Sequence, residues 1–159
     1  MIHEKHLKVL AKIWGRLNGT DVNWVVTGSL SFAIRGVPVQ PRDVDIQTDR
    51  PGAYEMERLF PESVTRKVEF SSSESARIRS HFGALEIDGV TVEVMGDVEH
   101  LLEDGTWEPP PDLNAHKQFV EIAGMRIPVL SLEYEYQAYL KLGRLDKAHR
   151  LKQALGSEP

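Results

Sequence analysis

The chain has 159 residues, 41% hydrophobic and 27% charged, which is enough to bury one core and too few for two domains of the usual ~100–200 residues. Nineteen Lys and Arg against 24 Asp and Glu leave a formal charge of −5, the wrong sign for a protein that holds long nucleic acid by neutralising phosphates. The lack of cysteine excludes disulfides, thiolate catalysis and Cys-ligated metal centres, and fits a reducing compartment.

The segment Met1-Ile2-His3-Glu4-Lys5-His6 has no apolar signal core, and no stretch reaches the ~20 apolar residues of a membrane span. The expectation is a soluble cytoplasmic protein, folded as a single domain over residues 1–159. Leu7, Leu10, Ala11, Trp14 and Leu17 recur at helical spacing, which predicts an amphipathic helix ending at Asn18-Gly19. Trp24-Val25-Val26-Thr27 suits a buried strand, broken at Gly28-Ser29, and a second helix is predicted over Leu30 to Ile34. Pro38 and Pro41 oppose its continuation. Asp43-Val44-Asp45-Ile46 then alternates as a strand does.

Residues 53–60 read as a helix and Val64 to Phe70 as a strand, with Ser71-Ser72-Ser73 expected to be a loop. Ala84–Ile87 and Val90–Met95 flank Asp88-Gly89, a strong two-residue hairpin signal. A Pro-rich loop runs from Glu103 to Asp112, followed by a second hairpin around Ala123-Gly124. Ser131 caps a final helix, broken at Gly143 and running to about Leu155. With no internal repeat, the pattern is α+β with a mixed or antiparallel sheet.

The chemically informative feature is the pair Asp43 and Asp45, two apart on a predicted strand and hence on one face. Taken alone, such a triplet is more often a pair of solvated acids at a strand end. Two crowded carboxylates repel, however, and a divalent cation relieves the repulsion. On the strand Val90–Met95 the valines share one face and Glu93 the other, so with a valine core Glu93 projects from the opposite face, where it is a candidate to join the Asp pair and equally an ordinary exposed strand residue. Gly28-Ser29 opens a helix where free N–H groups can meet a phosphate, although the dipeptide is equally an ordinary turn. Neither a Walker loop nor a Gly-x-Gly-x-x-Gly motif occurs. His3 and His6 sit at a terminus and carry little weight as a zinc pair. Arg77, Arg79 and His81 read more simply as a solvated strand face than as a basic stripe, and Tyr134, Tyr136 and Tyr139 as core. Trp107, in a Glu-Pro-Pro-Pro loop, is a candidate for partner or acceptor recognition.

Thr27-Gly28-Ser29, thirteen intervening residues, then Asp43-Val44-Asp45-Ile46 resembles the signature of the nucleotidyltransferase superfamily of polymerase beta-like fold. The connection through Gly36 to Arg42 and the tail from Ile127 to Arg144 are similar to the lincosamide- or aminoglycoside-transferase-like and AbiEii-like branches. The resemblance implies an α+β fold in which a mixed sheet is flanked by helices. It implies Mg²⁺ at a two-metal site held by Asp43, Asp45 and Glu93, with Glu in place of the commoner Asp at the third carboxylate. Gly28, Ser29, Arg42, Lys141 and Arg144 would bind a nucleoside triphosphate such as ATP, although Arg144-Leu145-Asp146-Lys147 departs from the order of charges in those branches.

The implied activity is magnesium-dependent transfer of a nucleoside monophosphate to an unidentified hydroxyl acceptor. An alternative is a nucleotide-binding module, such as one half of a toxin–antitoxin-like pair, that binds without turnover. A metal-dependent nuclease ranks last, because the net charge disfavours long nucleic acid. In so short a chain the acceptor surface must come from loops, from a homodimer or from a partner protein.

Overall fold

The computed structural model describes residues 2–156. Its elements follow the order α1 (Glu4–Leu17), β1 (Trp24–Thr27), α2 (Gly28–Ala33), β2 (Val44–Thr48), α3 (Arg50–Leu59), β3 (Val64–Ser73), β4 (Ile78–Ile87), β5 (Val90–His100), α4 (Leu113–His116), β6 (Lys117–Ile122), β7 (Met125–Leu130), α5 (Leu132–Lys141) and α6 (Leu145–Gly156). The strands form one seven-stranded sheet in the order β3-β4-β5-β2-β1-β7-β6. β2 runs parallel to β5 and β1 parallel to β7, and the other neighbours are antiparallel. The expected mixed α+β architecture is the one observed.

Hydrophobic alternation explains why one face of this sheet is closed. Val26, Val44, Ile46, Val90, Val92 and Val94 are almost wholly buried. They pack with Val9, Leu10, Ile13 and Leu17 of α1 and with Met56 of α3. Such burial stabilises each aliphatic side chain by roughly 1.5–3 kcal/mol. The buried face of α1 is His6, Val9, Leu10, Ile13 and Leu17, rotated from the predicted stripe, with Ala11 exposed. The stripe turns toward the side where the β-branched Val9 and Ile13 flank Leu10 and Leu17, while Trp14, on the other flank, is partly buried against the same core.

Asp49 caps α3 by accepting a hydrogen bond from Gly52 N–H at 2.8 Å. Ser131 caps α5 by accepting from Tyr134 N–H at 3.1 Å. Gly143, at φ +74°, separates α5 from α6. On the opposite face, α5 and α6 pack with Phe32 and Val37 through Leu132 and Leu151, and part of the sheet is left facing a cleft.

Three expectations need correction. Ser71-Ser72-Ser73 belongs to β3, where Ser71 pairs with Ser80 and Ser73 with Ile78. A long partner strand extends the ladder past the point at which serine propensity alone would end it. Asp43 precedes β2, and α2 begins at Gly28, two residues ahead of the predicted Leu30.

Candidate functional site

Sheet register brings the candidate acids together. Thr27 is paired with Asp45 across β1 and β2, and Asp45 with Glu93 across β2 and β5. The three residues therefore form a row across neighbouring strands, whose spacing is about 4.8 Å. Because β2 and β5 are parallel, side chains in register share a face. The valine face of β5 is core, so Glu93 must emerge on the cleft side. Asp43, one residue ahead of the strand, acts on both: its charge raises the pKa of Asp45 and of Glu93.

The electrostatics are those of crowded acids. Burial, then Glu93, then Asp43 push the Asp45 carboxyl up to about 6, while Lys147 opposes the shift. Glu93 is also raised, first by burial and then by Asp43, with Arg66 opposing. Among the described residues, no group of three His, Asp or Glu side chains already forms a metal-holding set.

Gly28 meets this row from α2. Its φ is +71°, and a Cβ there would lie 2.6 Å from Asp45 Oδ2, so glycine is required both by backbone conformation and by the closeness of the carboxylate. Ser29 follows, half-buried, as the second residue of α2. Gly28 N–H donates to Glu135 Oε1 at 2.9 Å, and Thr27 Oγ1 donates to the same oxygen. Glu135 is 5% exposed, its Oε2 has no hydrogen-bond partner, and burial raises its pKa to about 8.

The basic candidates separate. Arg144 lines the cleft beside Tyr139 and Leu142. Lys141 is exposed on α5 and paired with Glu108 at 2.7 Å, outside the cleft lining. Arg42 is exposed, and its backbone carbonyl lies 3.0 Å from His6 Nε2, so α1 anchors the segment that leads into Asp43. His6 is thereby engaged with the main chain.

Several cleft residues were not predicted. Glu135 stands in the first turn of α5, where an acid needs no further explanation, and its partners lie over 100 residues earlier in the chain. Lys147 acts on Asp45 from α6. Tyr134 and Tyr139 line the cleft, as do Gln47, Ser80 and His100. Arg79 also lines it, whereas His81 contacts Tyr54 and Phe70, and Arg77 donates to Leu101 O at 3.0 Å. The alternation of β4 could have isolated Arg79 from His81 only if a bulge between them were known. Trp107 is half-buried, with the Arg79 guanidinium 4.4 Å from its ring centre.

Comparisons with known proteins agree with this geometry. A Thermotoga maritima protein, TM1012, provisionally described as a nucleotidyltransferase, is 63% identical, with 99% of this chain and 97% of that chain covered and a TM-score of 0.86. The lincosamide antibiotic adenylyltransferase LnuA, solved with lincomycin bound, shares the fold at 14% identity and a TM-score of 0.59, covering 95% and 97%. ANT(2'')-Ia, solved in complex with adenylyl-2''-tobramycin, does so at 13% and 0.61, covering 96% and 90%. No curated protein matches the chain significantly. A family model described as aminoglycoside-2''-adenylyltransferase matches residues 9–154, and with the carboxylate row on β2 and β5 already in place, the chain belongs to that family of nucleotidyltransferases.

Proposed function

We propose that the protein transfers a nucleoside monophosphate from a nucleoside triphosphate to a hydroxyl acceptor, using Mg²⁺. The observation that carries this reading is the register of Asp45 with Glu93 beside Gly28. The donor set fits the metal: Asp43, Asp45 and Glu93 offer hard anionic oxygens, and their mutual repulsion is what a divalent charge removes. A preformed three-ligand cage is not required, since Mg²⁺ takes one or two carboxylates and completes its shell with water and phosphate oxygens. When bound, Mg²⁺ supplies charge neutralisation for the triphosphate and a lowered pKa for the attacking hydroxyl.

The chain's own residues account for the rest. The acceptor oxygen forms a bond to the α-phosphorus, the bond from that phosphorus to the bridging oxygen breaks, and pyrophosphate leaves with the electron pair. The hydroxyl proton passes to Glu93, whose carboxylate stands in register with Asp45 on the cleft side of β5. Arg144 offsets charge on the triphosphate, and Lys147 adds to it from α6. Gly28 and Ser29 receive its outer oxygens, with Glu135 moving off Gly28 N–H as they arrive. Arg42 contributes long-range charge from outside the cleft, whereas the charge of Lys141 is offset by Glu108.

Asp45→Asn tests the proposal. It keeps the size of the side chain while removing one anion, so pyrophosphate release with ATP, Mg²⁺ and an acceptor is expected to fall by about 10²–10³-fold with the circular dichroism spectrum unchanged. A folded Asp45→Asn protein with wild-type turnover overturns the mechanism. The alternative, nucleotide binding without turnover, predicts that Mg²⁺ and ATP stabilise the wild type while no nucleotidylated product forms with any acceptor.

A further inference from the structure

The cleft extends away from Asp45 along β4 and β5. Met95 is paired with Phe82, and the floor continues to Val98 past a bend where Asp97 adopts φ +52°. From Glu93 to Val98 this is roughly 15 Å of extended chain. β3 adds Ser71, opposite Ser80, and Ser73, opposite Ile78. All three serines line the cleft, so this arm offers apolar surface flanked by neutral hydroxyls.

Among the described residues, the carboxylates lining the whole cleft are Asp45, Glu93 and Glu135. The first two belong to the reacting cluster, and the third is buried against Thr27 and Gly28. In the arm itself the charged group is Arg79. Its Nε donates to Glu99 Oε2 at 2.7 Å and its Nη2 to Oε1 at 3.3 Å, and the guanidinium rests over Trp107. Glu99 is thereby committed to Arg79, as Glu108 is to Lys141. Nothing lining the arm offers a spare anion to an ammonium group. A polyamine entering it would shed water from several cations and meet Arg79 and Arg144, a cost without repayment.

We propose that the β4–β5 arm is an acceptor subsite for an uncharged, hydroxylated, ring-bearing molecule and that it rejects polyamine sugars, although the family is described by an aminoglycoside substrate. Serine hydroxyls read the acceptor's hydroxyls, Phe82, Met95 and Val98 take its apolar face, and Trp107 and Glu99 hold Arg79 still. The proposal rests on the nucleotidyl-transfer reading, which assigns Asp45 and Glu93 to the metal.

The test offers the protein ATP and Mg²⁺ with a pool of uncharged alkyl glycosides and nucleosides, or with a pool of aminoglycosides that includes tobramycin. Mass spectrometry looks for an added nucleoside monophosphate. In parallel, calorimetry measures binding of Mg²⁺ with a non-hydrolysable ATP analogue. Adduct is expected from the uncharged pool and not from the aminoglycosides. Ser73→Asp, in the lining of the arm, is expected to lower use of the uncharged acceptor by about tenfold or more, because an added charge replaces a neutral hydroxyl and must be desolvated as the acceptor enters, while analogue binding is unchanged.

Adduct on aminoglycosides overturns the proposal and leaves the nucleotidyl reading standing, whereas adduct on neither pool while the analogue binds overturns the proposal and favours nucleotide binding without turnover. Loss of analogue binding in Ser73→Asp, with its circular dichroism intact, also overturns it, because the arm would then hold the nucleoside. Failure of the wild type to bind the analogue defeats the nucleotidyl reading itself.

Discussion

Gly28 and Glu135 show how single residues set the state of the cleft. At Gly28 an alanine must adopt φ near +71° and push Asp45 Oδ2 from a 2.6 Å approach. Left-handed backbone alone costs a non-glycine residue about 1–2 kcal/mol. Gly28→Ala is therefore expected to lose that much stability in urea titration, with a larger loss in turnover because Asp45 is displaced. Glu135 makes a prediction in pH. Its folded pKa, about 8, lies above the 4.5 of an ordinary Glu. Its contribution to stability is thus fully present below about pH 4.5 and is lost as pH rises through 8. Glu135→Gln keeps an acceptor for Thr27 and Gly28 while removing the charge. Its melting temperature is expected to match the wild type near pH 4.5 and to exceed it at pH 8.5, by roughly 2–4 °C for each 1 kcal/mol of relief. Equal melting temperatures at both pH values refute this account.

Elements were legible in the sequence wherever a local signal was strong. Asp88-Gly89 and Ala123-Gly124 mark turns that the structure contains, both with positive φ at each residue. Ser131 and Gly143 delimit α5 as their chemistry suggests. Legibility failed where tertiary pairing decides: β3 continues through three serines because β4 is there to pair with them. The approach of Asp45 to Glu93 was inferable from alternation within β2 and β5, but Glu135 reaches its partners through the packing of α5, which leaves no local trace in the chain. The α5 cap offers a test at this scale. Ser131→Ala removes the acceptor for Tyr134 N–H and is expected to cost about 1 kcal/mol. Because α5 carries Tyr134, Glu135 and Tyr139, hydrogen exchange across residues 132–141 should quicken more than exchange in α1. Uniform quickening in both helices would show that the cap does not act locally.

Across the whole molecule, one buried face supports one reactive face. Ile46 is fully buried in β2, next in sequence to Asp45. Ile46→Ala is expected to cost about 2–5 kcal/mol in urea titration and to disturb the carboxylate row through the strand they share. Unchanged stability would mean that the core collapses around the gap. Among the described residues no helix is long and apolar enough to cross a membrane, and α1 and α3 pack on the buried face of the sheet. The reach of β3, β4 and β5 beyond the acids has a further consequence. The turn at Glu74–Arg77, where β3 passes to β4, lies past the paired serines, while Asp45 and Glu93 sit on the central β2–β5 pair. Residues can therefore be exchanged or inserted at that tip without altering the spacing of the acids, and surface turns tolerate such change best. A lineage built on this scaffold can change what it modifies while the reacting groups stay in place.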